Sequence, residues 1–262
     1  MSERIVPVPA DFQAAAKLRR DDYERGYANS VRDPEAYWRR HGQRLAWSKP
    51  FTRAKDTSYA LDDFHIRWFA DGELNVAANC LDRHLAERGD KIAIIWEPDD
   101  PKAEPQRISY RELHARVCRL ANALEALGVV KGDRITIYLP MIPEAAVAML
   151  ACARIGAIHS VVFGGFAPKE LATRLEDCKP KLILSASCGI EVARVISYKP
   201  LLDEAIRLAK HKPQACLILQ RPQAACELNP DRDHDWHKVW DEALVWARNV
   251  LEPEPMLATD PL

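Results

Sequence analysis

Short apolar segments alternate with helical segments from about Asn75 onwards, and this alternation limits the folds open to the chain. Continuous apolar runs predict strands that are buried on both faces, and the stretches between them place apolar residues at helical spacing. The clearest unit is a strand at Ile135–Leu139, a helix that begins at Pro143, and a strand at Ile158–Phe163. The sequence therefore predicts an α/β fold, a mainly parallel sheet flanked by helices.

The remaining elements follow from the same patterns. Further strands are predicted at Ile92–Trp96, Leu182–Leu184 and Cys216–Leu219. Further helices are predicted from Asn75 to Gly89, from Pro168, from Pro200 to Ala209, and from Trp236 to Arg248. The last segment, Glu252–Leu262, is rich in proline and is predicted to lack regular structure.

The residues before about Tyr59 are rich in aromatic side chains and have few long periodic runs. Asp11 is a candidate cap for a first helix, and Asp33 followed by Pro34 is typical of a second helix start. The pattern predicts an irregular helical extension that precedes the sheet. Its aromatic side chains are expected to anchor it on another surface.

Charge and hydropathy exclude several classes of protein. The chain has 37 basic and 38 acidic residues, so no long-range field favours nucleic acid or an anionic membrane. The longest apolar stretch, around Ala145–Ala153, is too short to cross a bilayer. The first ten residues have no secretion signal pattern, and we expect a cytoplasmic protein that binds neither nucleic acid nor membrane.

Metal-binding and simple catalytic patterns are weak. The seven cysteines are scattered and form no CxxC motif, which argues against a disulfide framework or a zinc site. His234 and His237 lie three apart but have no third ligand at metal spacing, so we expect them to be solvated. The triplet Asp82–His84 is expected to form a surface salt bridge, because neighbours along a helix do not face one another.

The segment Phe163–Phe166, FGGF in sequence, is a candidate ligand contact. It follows a predicted strand, and open parallel sheets bind ligands at the carboxyl ends of their strands. Gly164 and Gly165 would let a ligand approach the backbone, although an ordinary tight turn explains them equally well. The phosphate-binding patterns GxxxxGK[ST] and GxGxxG do not occur.

Whole segments of the chain, from about Tyr23 to Leu262, resemble acetyl-CoA synthetases. The longest is PMIPEAAVAMLACARIGA at 140–157, which continues directly into IHSVVFGGF at 158–166. The other similar segments are Trp47–Phe51, Trp68–Gly72, Asn75–Leu85, Ile94–Glu97 and Ile108–Leu113. The resemblance implies an adenylate-forming ligase, which joins a carboxylate to ATP and then transfers the acyl group to coenzyme A (CoA).

The same resemblance implies a partial CoA site. Its contacts would be Phe163, Gly164 and Gly165, together with Arg194. The family commonly has R-x-G-R where this chain has Glu191-Val-Ala-Arg194, so one of the two arginines is replaced by an acid. In the full-length enzymes the substrates are acetate or propionate, CoA and ATP with Mg²⁺, and magnesium offsets the phosphate charge.

The family's phosphate loop, T-S-G-[ST]-T-G-x-P-K-G, and the domain that carries its catalytic lysine have no counterpart in these residues. We therefore expect an N-terminal fragment that is inactive alone, with residues 1–80 as the family's extension and 81–262 as a truncated AMP-binding domain. Two alternatives stay open. Residues 188–206 and 231–236 resemble propionate–CoA ligases, and the chain could instead be a non-catalytic module that binds CoA or a partner.

Overall fold

The computed structural model describes residues 6–100, 102–164, 167–191, 194–246 and 250–262, with the backbone alone for 243–246. The helices are Ala10–Ala15 (α1), Arg20–Arg32 (α2), Pro34–Gly42 (α3), Val76–Cys80 (α4), Leu85–Arg88 (α5), Tyr110–Ala126 (α6), Pro143–Arg154 (α7), Pro168–Cys178 (α8), Tyr198–Leu208 (α9) and Trp236–Trp246 (α10). The strands are Lys55–Ser58 (β1), His65–Trp68 (β2), Glu73–Leu74 (β3), Ile92–Trp96 (β4), Gln106–Ser109 (β5), Arg134–Tyr138 (β6), Ile158–Val161 (β7), Leu182–Ala186 (β8), Cys188–Glu191 (β9), Arg194–Ser197 (β10), Ala215–Leu219 (β11), Asp233–Asp235 (β12) and Met256–Leu257 (β13).

The centre of the fold is a five-stranded sheet in the order β12-β11-β8-β6-β7, and every neighbouring pair is parallel. The predicted parallel sheet with flanking helices is confirmed. β7 lies on one side of β6, and the chain then crosses over so that β8 lies on the other side of β6. The carboxyl ends of β6 and β8 are therefore neighbours at the point where the strand order reverses, which is where such sheets bind ligands.

Alternate residues of the three inner strands, β6, β8 and β11, face two separate cores. In β8, Leu182 and Leu184 face the cluster formed with α6, α7 and α10, whereas Ile183 faces the cluster formed with α8 and α9. All three side chains are buried. Each such burial stabilises the fold by about 1.5–3 kcal/mol. Burial on both faces is why these strands are continuous apolar runs in the sequence.

One predicted buried strand lies elsewhere. β4 pairs antiparallel with β5 in a separate two-stranded sheet, and Ile92 and Ile95 are exposed. Only Ala93, Ile94 and Trp96 pack, partly buried, against the core of the central sheet. The prediction of burial on both faces is wrong here, because an apolar run does not reveal whether a strand joins the central sheet.

The N-terminal extension is helical and aromatic, but the predicted cap at Asp11 is wrong, because α1 begins at Ala10 and Asp11 lies in its first turn. Ala16 adopts an extended conformation and separates α1 from α2, and neither helix contains a buried residue. The predicted cap at Asp33 is confirmed, since its carboxylate accepts a 3.0 Å hydrogen bond from the Ala36 amide. The aromatic side chains pack on one another, with the Phe51 ring centroid 4.9 Å from Trp47 and 4.6 Å from Phe69.

The prediction for the residues after Asn75 holds only at their start. The Asn75 side chain caps α4 by accepting from the Ala78 amide at 3.2 Å. The helix then stops, and a 3₁₀ turn at Asp82–His84 separates α4 from α5. The predicted single helix to Gly89 is therefore three short elements.

The proline-rich final segment is anchored, so the prediction of irregular structure is wrong in part. β13 pairs antiparallel with β3, and the Ala258 amide donates to the Gly72 carbonyl at 3.0 Å. The Asn75 side chain donates to the carbonyls of Ala153 at 2.8 Å and Glu254 at 2.9 Å. The partner of β13 lies far away in sequence, so local pattern could not reveal the pairing.

Candidate ligand-binding site

Two tyrosines organise the carboxyl end of the central sheet. Tyr138 ends β6 and Tyr198 begins α9, and their rings are stacked with centroids 5.0 Å apart. The Tyr138 hydroxyl donates to the Gly164 carbonyl at 3.3 Å, which ties the turn after β7 to the end of β6. Burial raises the pKa of Tyr138 to about 12, so the hydroxyl stays protonated and able to donate at neutral pH.

Gly164 has no room for a side chain. A Cβ atom there would collide with the Tyr198 hydroxyl, and one at Gly189 would lie 2.6 Å from the Tyr198 ring. Packing against Tyr198 therefore accounts for glycine at both positions. The sequence was equally consistent with a close ligand approach and with a tight turn at Gly164. Neither explanation involves the tyrosine that occupies this space.

The other predicted contacts lie around this centre. Phe163 is exposed at the end of β7, and Gly165 lies outside the described residues. Arg194 opens β10, which pairs antiparallel with β9 so that Arg194 is opposite Glu191. The base of this hairpin reaches Tyr198, whose amide donates to the Ser187 carbonyl at 3.0 Å. The structure thus joins Gly164 to the hairpin through Tyr198, while Arg194 lies at the hairpin's opposite end.

The Arg194 side chain is partly neutralised. Its guanidinium lies 3.7 Å from the Glu191 carboxylate, and both side chains are exposed. Exposed pairs of this kind contribute roughly 0.2–1 kcal/mol. An anionic ligand at Arg194 would have to displace Glu191 or bind beside its negative charge.

A cleft of about 410 Å³ opens at the carboxyl end of the sheet, next to the ends of β6 and β8. Pro140–Ile142, Ile190 and Arg221 form one side, and the acidic turn after β4 forms the other. Arg221 is held in place because its amide donates to the Ser187 hydroxyl at 2.8 Å and its guanidinium to the Cys188 carbonyl at 3.1 Å. Sequence reasoning missed Arg221, although its position two residues after β11 was an available signal.

The triplet Asp82–His84 has a different role from the predicted surface salt bridge. The Asp82 carboxylate accepts two hydrogen bonds from Arg154, at 2.8 and 2.9 Å, and lies 3.2 Å from His114 Nε2. The Arg154 side chain is fully buried, and its Nε donates to the Leu251 carbonyl at 2.6 Å. The prediction is wrong because the partners of Asp82 come from α6 and α7.

The charges of this cluster depend on one another. Burial opposes ionisation of Asp82, but hydrogen bonds from Arg154 and His114 outweigh it and hold its pKa well below the usual range. In turn, the Asp82 carboxylate raises the pKa of His114 to about 9. The cluster is a buried, charged contact that joins α6, α7 and the segment before β13.

The remaining polar candidates serve the helices. The Asp235 carboxylate accepts from the amides of His237 at 2.9 Å and Lys238 at 3.1 Å, so it caps the start of α10. Across the described ranges, no group of three His, Cys, Asp or Glu side chains could hold a metal ion. Nor does any helix in the described part of the chain have the length and apolar content to cross a membrane.

A parallel sheet that is covered by helices on both faces, with a cleft at the carboxyl ends of its strands, defines an α/β domain. Residues 81–261 match the family model described as AMP-binding enzyme, and residues 23–80 match the one described as acetyl-coenzyme A synthetase N-terminus. The chain therefore belongs to the AMP-binding enzyme family. The resemblance to acetyl-CoA synthetases is confirmed, since the two matches together correspond to the N-terminal region of those enzymes.

Relatives at high identity carry the same description. The chain is 50% identical over 262 residues to the acetyl-coenzyme A synthetase of Novosphingobium aromaticivorans, covering 100% of this chain and 40% of the relative. It is 50% identical over 259 residues to that of Xanthomonas axonopodis pv. citri, covering 98% and 39%. The chain thus spans about two fifths of the length of these relatives.

A solved structure supports the fold. The acetoacetyl-CoA synthetase from Streptomyces lividans superimposes with a TM-score of 0.77 at 23% identity, over 95% of this chain and 36% of that one. At this identity the likeness shows the fold alone.

Proposed function

We propose that this chain is the N-terminal part of an acetate–CoA ligase. The full reaction converts acetate, ATP and CoA into acetyl-CoA, AMP and pyrophosphate. The observation that carries the proposal is 50% identity to an acetyl-coenzyme A synthetase along the whole chain. In this proposal residues 1–80 form the family's extension and residues 81–262 form part of its AMP-binding domain.

The contribution of these residues would be to CoA binding. Phe163 and Gly164 follow β7 at the ligand-binding edge of the sheet, and Arg194 supplies a positive charge on the hairpin that packs against Tyr198. Gly165 belongs to the same proposed set on the strength of the sequence alone. The position that supports this site is the end of β7, at the carboxyl end of the parallel sheet, where Tyr138 holds the Gly164 carbonyl at 3.3 Å.

These residues do not provide for the adenylation step. The sequence contains no glycine-rich loop to surround the ATP phosphates with backbone amides. Mg²⁺ in such sites is held by the ATP phosphates and one or two carboxylates, and the sequence lacks the loop that would hold those phosphates. We therefore expect the 262 residues alone to have no ligase activity.

The test is a chimera. Residues 1–262 are joined to the part of the Novosphingobium aromaticivorans relative that follows the matched segment, and acetate-dependent pyrophosphate release is measured with and without CoA. We expect turnover from the chimera and none from the 262 residues alone. A folded chimera without turnover, or turnover by the 262 residues alone, would contradict the proposal.

The CoA contact is tested in the same chimera. Arg194→Ala should raise the KM for CoA about two- to fivefold, the range expected for one exposed charge contact. Glu191→Gln should lower it, because the competing negative charge is removed. The matched control is Arg207→Ala, since Arg207 is also exposed and paired with a nearby glutamate, Glu204. Equal KM values for all variants would remove Arg194 from the site.

A further inference from the structure

The cleft at the carboxyl end of the central sheet contains a positive charge without a negative partner. Arg221 lines this cleft and is half-buried. Within the described ranges, no carboxylate lies within 4.0 Å of its guanidinium. The other partly or fully buried arginines differ, since Arg154 lies 2.8 Å from Asp82 and Arg232 lies 2.6 Å from Asp203. A half-buried cation without a counter-charge is a candidate for binding an anionic ligand.

The contacts of Arg221 hold it in place and leave one side of its guanidinium available. Its amide donates to the Ser187 hydroxyl at 2.8 Å, and its Nη1 donates to the Cys188 carbonyl at 3.1 Å. Nε and Nη2 make no hydrogen bond within the part of the chain that the structure describes. These two nitrogens form one side of the arginine fork, which matches two oxygens of a phosphate or carboxylate group.

The other wall of the cleft is acidic. Glu97, Asp99 and Asp100 line it, and the Asp100 carboxylate accepts a 2.9 Å hydrogen bond from the Lys102 amide, which fixes the turn. Carboxylates accept hydrogen bonds from hydroxyls and amines but repel an anion. A ligand that fits this cleft therefore has its negative group at Arg221 and hydrogen-bond donors on the side of the acidic turn.

The size and the apolar surface of the cleft narrow the class of ligand. Its volume of about 410 Å³ lies in the range of small-molecule sites, roughly 300–1,000 Å³. Trp96, Pro140 and Met141 supply apolar lining, and the Trp96 indole is held because its Nε1 donates to the Met141 carbonyl at 2.8 Å. A flat ring packs well on such a surface. Acetate and inorganic phosphate are too small to contact both walls.

We propose that this cleft binds an adenosine phosphate and that Nε and Nη2 of Arg221 hold its phosphate group. The base lies on the apolar lining around Trp96, and the ribose hydroxyls and the base amine donate to the acidic turn. The cleft lies beside the ends of β6 and β8, where the strand order reverses. The proposal rests on the proposed function for the choice of nucleotides, since ATP, AMP and CoA all contain this group.

The test is calorimetric titration of the 262-residue chain with adenosine, AMP, ATP and CoA. AMP should bind at least about tenfold more tightly than adenosine, because only AMP has a phosphate for Arg221. Inorganic phosphate and acetate are the probes for a simple anion site, and both should bind at least about tenfold more weakly than AMP, because they lack the base. The ranking of AMP, ATP and CoA identifies which of them the cleft prefers.

Three variants locate the bound nucleotide. Arg221→Gln should weaken AMP binding at least about tenfold and leave adenosine binding unchanged. The matched control is Arg134→Gln, because Arg134 Nε also donates to a backbone carbonyl, that of Cys178 at 3.2 Å, but lies at the start of β6, the opposite end of the sheet. Arg194→Ala should leave AMP binding unchanged, because Arg194 lies at the far end of its hairpin.

All variants are compared after their cooperative melting has been shown to match that of the unaltered chain. If R221Q does not fold, the comparison of AMP with adenosine in the unaltered chain decides. The proposal is overturned if no nucleotide binds at millimolar concentration, or if AMP binds no more tightly than adenosine. It is also overturned if folded R221Q binds AMP as tightly as R134Q, or if only R194A loses AMP binding.

Failure of this proposal and failure of the proposed reaction are distinguishable. If AMP binds through Arg221 but the chimera shows no acetate-dependent pyrophosphate release, the cleft assignment stands and the proposed reaction is wrong. If the chimera turns over and R221Q leaves nucleotide binding unchanged, the proposed reaction stands and the cleft assignment is wrong.

Discussion

The buried ion cluster around Asp82 gives a stability prediction that can be worked from its geometry. Asp82→Asn removes the charge that faces the fully buried Arg154 and keeps the size of the side chain. Removing one partner of a buried pair typically costs about 3–5 kcal/mol, because the other charge is left uncompensated. Asp82 is 28% exposed, so water can reach the site and the lower end, about 3 kcal/mol, is expected.

The assay is urea unfolding followed by tryptophan fluorescence. Asp90→Asn is the matched control, because Asp90 makes the same kind of contact with Arg111, at 3.1 Å, but is 91% exposed. The control should change the free energy of unfolding by less than about 1 kcal/mol. A loss of roughly 3 kcal/mol lowers the melting temperature by about 6–12 °C in a chain of this size.

Equal effects of D82N and D90N on the free energy of unfolding would refute this reasoning. If D82N and D90N change the free energy of unfolding by the same amount within about 0.5 kcal/mol, the cluster does not act as a buried charge pair. Substituting Asp82→Leu together with Arg154→Met gives a second check, because an apolar pair of similar volume can be neutral where a broken pair is not.

Two further predictions concern pH and packing. The pKa of His114 is raised to about 9 in the folded chain, so its contribution is complete below about pH 6.5 and is lost as the pH rises through 9. The free energy of unfolding should fall by about 2–4 kcal/mol between pH 6 and pH 10. The His114→Asn variant should show a smaller fall over the same range, and an equal fall would contradict the assignment to His114. Gly164→Ala should destabilise the chain by about 1–3 kcal/mol, and Tyr198→Phe should recover part of that loss. Gly26→Ala, in an open position of α2, should instead be neutral or stabilising; a G164A chain as stable as G26A would disprove the packing role of Tyr198.

The central strands were predictable from sequence because burial on both faces requires a run of apolar residues, which is visible locally. Leu182–Leu184 is a continuous apolar run, Ile135–Leu139 is interrupted only by Thr136, and both segments contribute strands to the central sheet. β4 is also an apolar run but lies outside the central sheet, because the sequence of a strand does not determine which strand it pairs with. β13 has no sequence pattern that predicts a strand, because a two-residue strand between prolines is defined only by its partner, β3.

The same limit applies to the site. The place of Gly164 after a strand was correctly predicted, whereas the reason for the glycine is a tyrosine 34 positions later. Asp82 looked like part of a surface triplet until α7 brought Arg154 to it, from 72 positions away. Charged and glycine residues acquire their roles from residues that approach in three dimensions, so their types alone indicated candidates and not partners.

The bond between Asn75 and Glu254 spans 179 positions, and this separation has a consequence during synthesis. At about 5–20 residues per second, a ribosome needs roughly 10–35 s to make the intervening chain. Throughout that interval β3 is complete but has no β13 with which to pair. The junction between the aromatic extension and the sheet therefore cannot close until the chain as far as Glu254 has emerged.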